Sequence, residues 1–488
     1  MAGSGRLAGK ESVPCNPPSQ TTGKQTRSRE KGPPQTKAPS GSDTLSRRTK
    51  TQSANAMKPN ILLVNPPIYD FAAYDFWLKP YGLLRVGGLL RPVAELSVFD
   101  YMDRLNPAFD PELKAKTDHY GKGPYPSEII PNPAPLQDVQ RHYQRFGIPR
   151  KAFRDYLTKK GPFEFVLIQT VMTYWYPGVA EVIEDIRQFC PQAKIVLGGF
   201  YATLCTEHAK NLGPDEVIVG DDLKPLWQLI GQRPPEQFQR PTWELYPKLE
   251  TAVMTLTHGC PFKCSYCFVP QSGKKFKARP LNQCIAELKH LVDLGVENIA
   301  FYDDALLYQP DQILLPFLRA AIDNQISVNF HTPNAMHARY MTAEVAQTMA
   351  HAGAKTFYLG FESRSEAFHK ETGSEKVVSS ELATAAQNLH SAGVSAQNIT
   401  AYQILGHPLA DVQLLEESMR FVNSLGIRIM LSDFSPIPGT PDGELCREYI
   451  DLDEPLNHNK TAFPIRFLGL EKVNCHKNLC KQLNGRLL

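Results

Sequence analysis

Six short apolar runs punctuate the second half of this 488-residue chain. They begin near 251 (TAVMTLT), 297 (ENIAFY), 326 (ISVNFH), 355 (KTFYLGF), 398 (NITAYQIL) and 427 (IRIMLSDF). Runs apolar along their whole length suit strands covered on both faces, and helical stretches fill the gaps between them. Such alternation predicts parallel strands joined by helices. Eight units would close a TIM-type barrel, so the six at 251–440 predict a partial (β/α)6 barrel whose functional residues sit at the C-terminal strand ends.

A second α/β unit is expected at 57–231. Its candidate strands are 60–65, 96–101, 163–170, 194–198 and 215–220, with helical stretches near 82–93, 177–189, 202–211 and 223–231. These describe a doubly wound parallel sheet. Residues 103–160 read as an inserted excursion, 232–250 as a linker and 441–488 as a C-terminal helical tail.

The composition, 42% hydrophobic and 21% charged, excludes a collagen, a coiled coil and a wholly disordered chain. No run reaches the ~18 apolar residues of a membrane span. The formal charge of +3 averages unlike parts. Residues 1–56 hold ten Lys/Arg against three Asp/Glu and no Phe, Trp, Tyr or Ile, giving +7 and leaving −4 for the rest. This basic extension is expected to be disordered and dispensable ahead of a second start at Met57, and it lacks the apolar segment of a secretory signal. The near-neutral total argues against a strongly basic nucleic-acid binder.

Three of the ten cysteines, Cys260, Cys264 and Cys267, fall within eight positions at the end of the first barrel strand. The crowding points to a metal site in a reducing compartment, hence a cytoplasmic protein. Three thiolates in one loop suit a 4Fe–4S cluster, which normally has four cysteine ligands, so one iron would stay open. A zinc ion held by these three and His258 is the alternative, although zinc ligands usually come as two separated pairs.

The CxxxCxxC spacing, with Tyr266 and Phe268 flanking Cys267, resembles the radical SAM superfamily. The resemblance implies that S-adenosylmethionine (SAM) chelates the open iron and is cleaved reductively to methionine and a 5′-deoxyadenosyl radical. It also implies an external one-electron donor such as a flavodoxin or ferredoxin. SAM would be bound by Tyr266, Phe268, Asp303, Asp304, Asn334, Glu362 and Ser363, at or beside the ends of successive strands. Gly406-His407-Pro408 and Ser435–Thr440 end the last two strands in the same register.

Residues 57–440 further resemble radical SAM proteins with an N-terminal cobalamin-binding domain. In that pattern Thr170, Met172, Gly198 and Gly199 would face the nucleotide tail of cobalamin, with Ala202 and Thr203 continuing it. The family's DxHxxG motif is absent, and Asp118-His119 has the wrong spacing, so bound cobalamin would lack a histidine lower ligand. A degenerate domain filled by its own aromatics, among them Phe71, Tyr74, Phe76, Trp77 and Tyr174–Tyr176, is the competing expectation.

The resemblance favours a C-methyltransferase acting on a small metabolite, with methylcobalamin as methyl donor and the radical removing hydrogen from an unactivated carbon. A radical SAM oxidase or cyclase with a vestigial cobalamin domain remains open, as does a structural zinc or electron-transfer protein. Cys475 and Cys480 read as ordinary helix cysteines, and the basic run 273–279 as a solvated loop.

Overall fold

The computed structural model describes residues 58–372 and 377–487, so the basic extension lies outside the described residues. The N-terminal sheet has five parallel strands: β1 (Asn60–Asn65), β2 (Glu95–Asp100), β3 (Phe165–Thr170), β4 (Lys194–Gly199) and β5 (Glu216–Ile218). Their spatial order is β5-β4-β3-β1-β2, the flavodoxin-like arrangement in which strand order reverses between β1 and β3. Polar side chains join the ends of β1 and β2. Asn65 Nδ2 donates to Asp100 Oδ1 (2.6 Å), and Asp100 Oδ2 accepts from Tyr246 (2.7 Å).

The second sheet has six parallel strands in sequence order: β6 (Thr251–Met254), β7 (Asn298–Phe301), β8 (Asn329–His337), β9 (Ala354–Glu362), β10 (Ile399–Leu405) and β11 (Arg428–Asp433). This is the partial barrel that six apolar runs predict. Its outer helices bury apolar stripes against the strands: Leu415, Met419 and Val422 recur at helical spacing along Val412–Ser424, over Ile399, Ala401 and Leu405.

The stretch 103–160 is more structured than a simple excursion. Ser127–Ile130 and Tyr143–Phe146 pair antiparallel with each other, and Tyr143–Phe146 pairs with Ile68–Asp70. Helix Arg150–Lys160 is part of the sheet's covering layer, because Arg150 and Arg154 both bind the fully buried Asp185 on helix Tyr176–Phe189. Strands of three or four residues carry too few alternations to be read from sequence. Residues 232–250 are partly built in, with Trp243 fully buried beside the barrel core.

The loop after β1 joins the two sheets. Trp77 is fully buried, stacks on His331 with ring centroids 4.1 Å apart, and donates through Nε1 to Tyr120 O (2.8 Å). Phe76 meets Tyr358 edge-on at 5.1 Å. His331 bonds Asn298 and Thr356, and Gly121 lies against Thr251, so this aromatic wedge occupies the barrel where its strands begin. Truncating a buried tryptophan costs about 3–5 kcal/mol. Trp77→Ala should lower the urea unfolding midpoint accordingly, and an unchanged midpoint would mean that the wedge does not hold the sheets together.

Candidate active site

The cysteine loop is shaped before any cysteine is reached. After β6, Leu256 N, Thr257 N and Thr257 Oγ1 all donate to Asp303 Oδ1, at 2.9, 2.6 and 2.6 Å. Thr257–His258 then pairs antiparallel with Lys277–Ala278. Gly259 turns the chain at φ +69, where a Cβ would lie 2.6 Å from Lys275 O, so only glycine fits. A turn follows in which Cys267 N donates to Cys264 O (3.1 Å), and Cys267 leads into helix Phe268–Gln271.

Burial pushes the Cys267 thiol up to about 12, and the neighbouring Cys264, Cys260 and Asp304 add to the shift. Such a thiol ionises only when positive charge is brought to it, as an iron–sulfur cluster does. This donor set of three soft sulfurs on one loop therefore fits a cluster. Among the described residues, no three His, Cys, Asp or Glu side chains are gathered tightly enough for a single metal ion. His258, the fourth ligand of the zinc alternative, stands on the hairpin ahead of the turn; burial lowers its pKa to about 4.

The expected SAM residues fall into two groups. Asp303 and Asp304 follow β7, and Asn334 Nδ2 donates to Asp303 O (3.3 Å), so all three adjoin the base of the loop. Asp303 is mainly a brace: Oδ1 takes the three donors above while Oδ2 is buried without a hydrogen bond, and burial raises its pKa to about 7. Glu362 and Ser363 stand two strands further round. Glu362 occupies the left-handed region at φ +62, where the pairing of β9 with β10 shifts register. A bulky residue there is held by its surroundings, a common feature of functional positions. Burial lifts its carboxyl to about 8. Ser363 Oγ accepts from Ser365 N (3.1 Å). Tyr266 meets His407 edge-on at 5.9 Å, and Phe268 meets Phe200 of the N-terminal domain at 6.0 Å.

Three residues important to the loop escaped the motif reading. Ser265 N donates to Thr372 O (3.0 Å), Asp442 N donates to Ser265 O (3.3 Å), and Ser265 Oγ donates to Asp442 Oδ2 (2.6 Å). Asp442 lies just past the expected barrel boundary at 440. Its only sequence signal is the helix start Thr440-Pro441, with Thr440 Oγ1 accepting from Gly443 N (3.0 Å).

A cleft opens at the order reversal of the N-terminal sheet, lined by Asn65, Pro66, Pro67, Gln169, Met172 and Trp175 among others. Ligands of open α/β sheets bind at such switch points. Met172 is exposed there. Thr170 also lines it but is buried; it donates to Gly198 O (3.0 Å) and accepts from Ala202 N (3.1 Å), so it ties β3 to β4 and starts the next helix. Gly199 is obligatory, since at φ +114 a Cβ would lie 2.1 Å from Thr170 O, whereas a Cβ at Gly198 meets nothing nearer than 3.8 Å. Of the aromatics suspected of filling the domain, Phe76 and Trp77 are committed to the barrel, Phe71 packs on Tyr143, and Trp175 lines the cleft with Nε1 bonded to Asp70 (2.9 Å). His119 packs on Tyr120 beside the barrel wedge (3.8 Å).

Residues 254–422 match the model of the Radical SAM superfamily. The barrel is thus a radical SAM domain, which implies a 4Fe–4S cluster and SAM. Among curated proteins, the ribosomal protein uS12 methylthiotransferase RimO of Desulforamulus reducens is 29% identical over 122 residues, 24% of each chain. The tRNA-2-methylthio-N(6)-dimethylallyladenosine synthase of Moorella thermoacetica is 32% identical over 126 residues, 25% of each. The similarity therefore spans about a quarter of these relatives. Over the larger part of the chain, the fold is similar to that of the radical SAM methyltransferase TsrM from Kitasatospora setae, with TM-score 0.58 and 14% identity, covering 80% of this chain and 76% of that one. The cobalamin-dependent SAM radical enzyme OxsB gives TM-score 0.50 and 12% identity, covering 87% and 61%.

Asp303 makes stability depend on pH. Its folded carboxyl titrates at about 7, against ~3.9 in an unfolded chain. Between those values the folded state holds a proton that the unfolded state has lost. Its contribution is therefore complete in acid and is lost as pH rises to about 7. Asp303→Asn keeps an acceptor for the three donors and does not titrate. In urea unfolding of the metal-free chain, the variant should gain on the wild type between about pH 4.5 and about pH 7.5. A difference independent of pH would refute the shift.

Proposed function

We propose that this chain is a cobalamin-dependent radical SAM enzyme that methylates a carbon of a small metabolite. The observation that carries the reading is the order reversal of the N-terminal sheet, where Pro66, Pro67, Met172 and Trp175 line a small pocket at the strand edge on which open α/β sheets bind ligands. The contact of Phe200 with Phe268 sets the same sheet edge beside the cysteine loop. The TsrM likeness supports this reading at the level of fold.

When bound, a 4Fe–4S cluster with SAM supplies an organic radical, and cobalamin supplies a methyl carrier. In this chain Cys260, Cys264 and Cys267 would hold three irons and leave the fourth to SAM. Glu362, buried at the end of β9, would hydrogen-bond SAM, with Ser363 beside it. Asp303, Asp304 and Asn334 would keep the loop in register with the strand ends. Tyr266 and Phe268 would shield the cluster from water. Met172, Gly198 and Gly199 would border the cobalamin tail, with Thr170 as their support. The electron would come from a flavodoxin- or ferredoxin-type donor in the cytoplasm. No described helix is long and apolar enough to cross a membrane.

Anaerobic reconstitution with iron and sulfide, followed by reduction with SAM, should give cluster absorbance and 5′-deoxyadenosine. Cys264→Ala should lose both signals; survival of either removes the cluster assignment. Hydroxocobalamin should bind with micromolar affinity, and Met172→Trp, which fills the cleft from an exposed position, should weaken it by about tenfold, or about 1.4 kcal/mol. Absence of binding by the wild type would replace methyl transfer with the oxidase or cyclase reading.

A further inference from the structure

We propose that His407 and Asp442 form a buried clasp that positions the cysteine loop by gripping Ser265, and so governs how firmly the loop retains its cluster. The second half of this statement rests on the cluster reading above.

Ser265 lies between Cys264 and Cys267, and its three polar groups are all held by the barrel. Its N–H goes to Thr372 O, its carbonyl accepts from Asp442 N, and its hydroxyl donates to Asp442 Oδ2. Loop residues usually give such groups to water. The grip is itself anchored from within. Asp442 and His407 are buried, and His407 Nε2 lies 2.8 Å from the same Asp442 Oδ2. Leu409 N donates to His407 Nδ1 (3.1 Å), which leaves the proton on Nε2 and makes the imidazole the donor to the carboxylate. The ring cannot swing away, because Phe434, Phe368 and Tyr266 meet it edge-on with centroids at 4.5, 5.1 and 5.9 Å.

A polar pair in an aromatic box is costly unless every bond is made. Here the bonds connect the end of β10, the helix after β11 and the middle of the cysteine loop. His407 and Asp442 are thus positioning residues, acting on the cluster ligands through Ser265. A phenylalanine at 407 would fit the box but leave the carboxylate, among the described residues, with the serine hydroxyl as its only side-chain donor.

The test uses the full chain and two readouts. In the metal-free protein, hydrogen exchange of the loop amides around Ser265 should be faster by about tenfold in Ser265→Ala and in His407→Phe, the size of one lost charge-assisted hydrogen bond. In the anaerobically reconstituted protein, iron loss to a chelator should accelerate by a similar factor. His407→Gln, which can still donate to Asp442, should bring both rates back toward wild type, as a loss of packing alone would not. Ser265→Ala alters only a loop hydroxyl and decides the matter if His407→Phe fails to fold. Unchanged exchange in Ser265→Ala overturns the clasp. Faster exchange with unchanged iron loss overturns its service to the cluster. A wild type that takes up no iron refutes the cluster reading itself and with it that service, while the exchange measurement still reports on the clasp.

Discussion

Trp77 lies flat on His331 with no exposed surface, and its indole N–H is bound to Tyr120, so the loop leaving the first strand of one sheet ends inside the other. Much of the remaining architecture depends on that insertion. It fills the barrel where the strands begin, as a packed rather than open interior requires. Beside it, Tyr81 and Arg279 both bind the fully buried Glu287, at 3.0 and 2.7 Å, tying helix Tyr81–Leu90 of one domain to helix Leu281–Asp293 of the other. A buried pair of this kind is tolerable because several hydrogen bonds satisfy it at once.

At the other end of the barrel, a short loop must present three thiols without support from regular structure. Its backbone is instead pinned at intervals: by the Asp303 side chain before the glycine turn, and in the middle by Asp442 and the carbonyl of Thr372, both on short helices that follow strands. The acids of this site share one condition. Cys267, Asp303 and Glu362 are all shifted toward their protonated forms, and burial is the first cause in each. Under the proposed function, the iron ions and the sulfonium of SAM bring the positive charge that this enclosure otherwise lacks.

The strand–helix alternation was legible because buried parallel strands are written as continuous apolar runs, and the six barrel strands begin within a few residues of those runs. The inserted strands at 68–70, 127–130 and 143–146 were not, since each is too short to show a period. Helix Arg150–Lys160 was absorbed into the excursion because few apolar residues, chiefly Phe153 and Leu157, mark its inner face. Thr170 was expected beside the nucleotide tail; it borders the switch-point pocket and also braces two strands, a role that depends on where Gly198 O and Ala202 N come to lie. Asp303 appeared as one of a polar pair at a strand end, but its three donors come from residues 46 and 47 positions earlier.

The sequence by itself determined the chemistry and the scaffold. Three cysteines at fixed spacing define one loop, and apolar runs at strand length define the sheets, because covalent spacing and side-chain polarity act locally. Tertiary structure alone decided which aromatics fill the barrel and which line the switch-point pocket, and that Asp442, held by His407, grips Ser265 across 177 residues. Whether a polar group is satisfied, and whether a ring is core or cleft, depends on partners that only folding brings within a few ångströms.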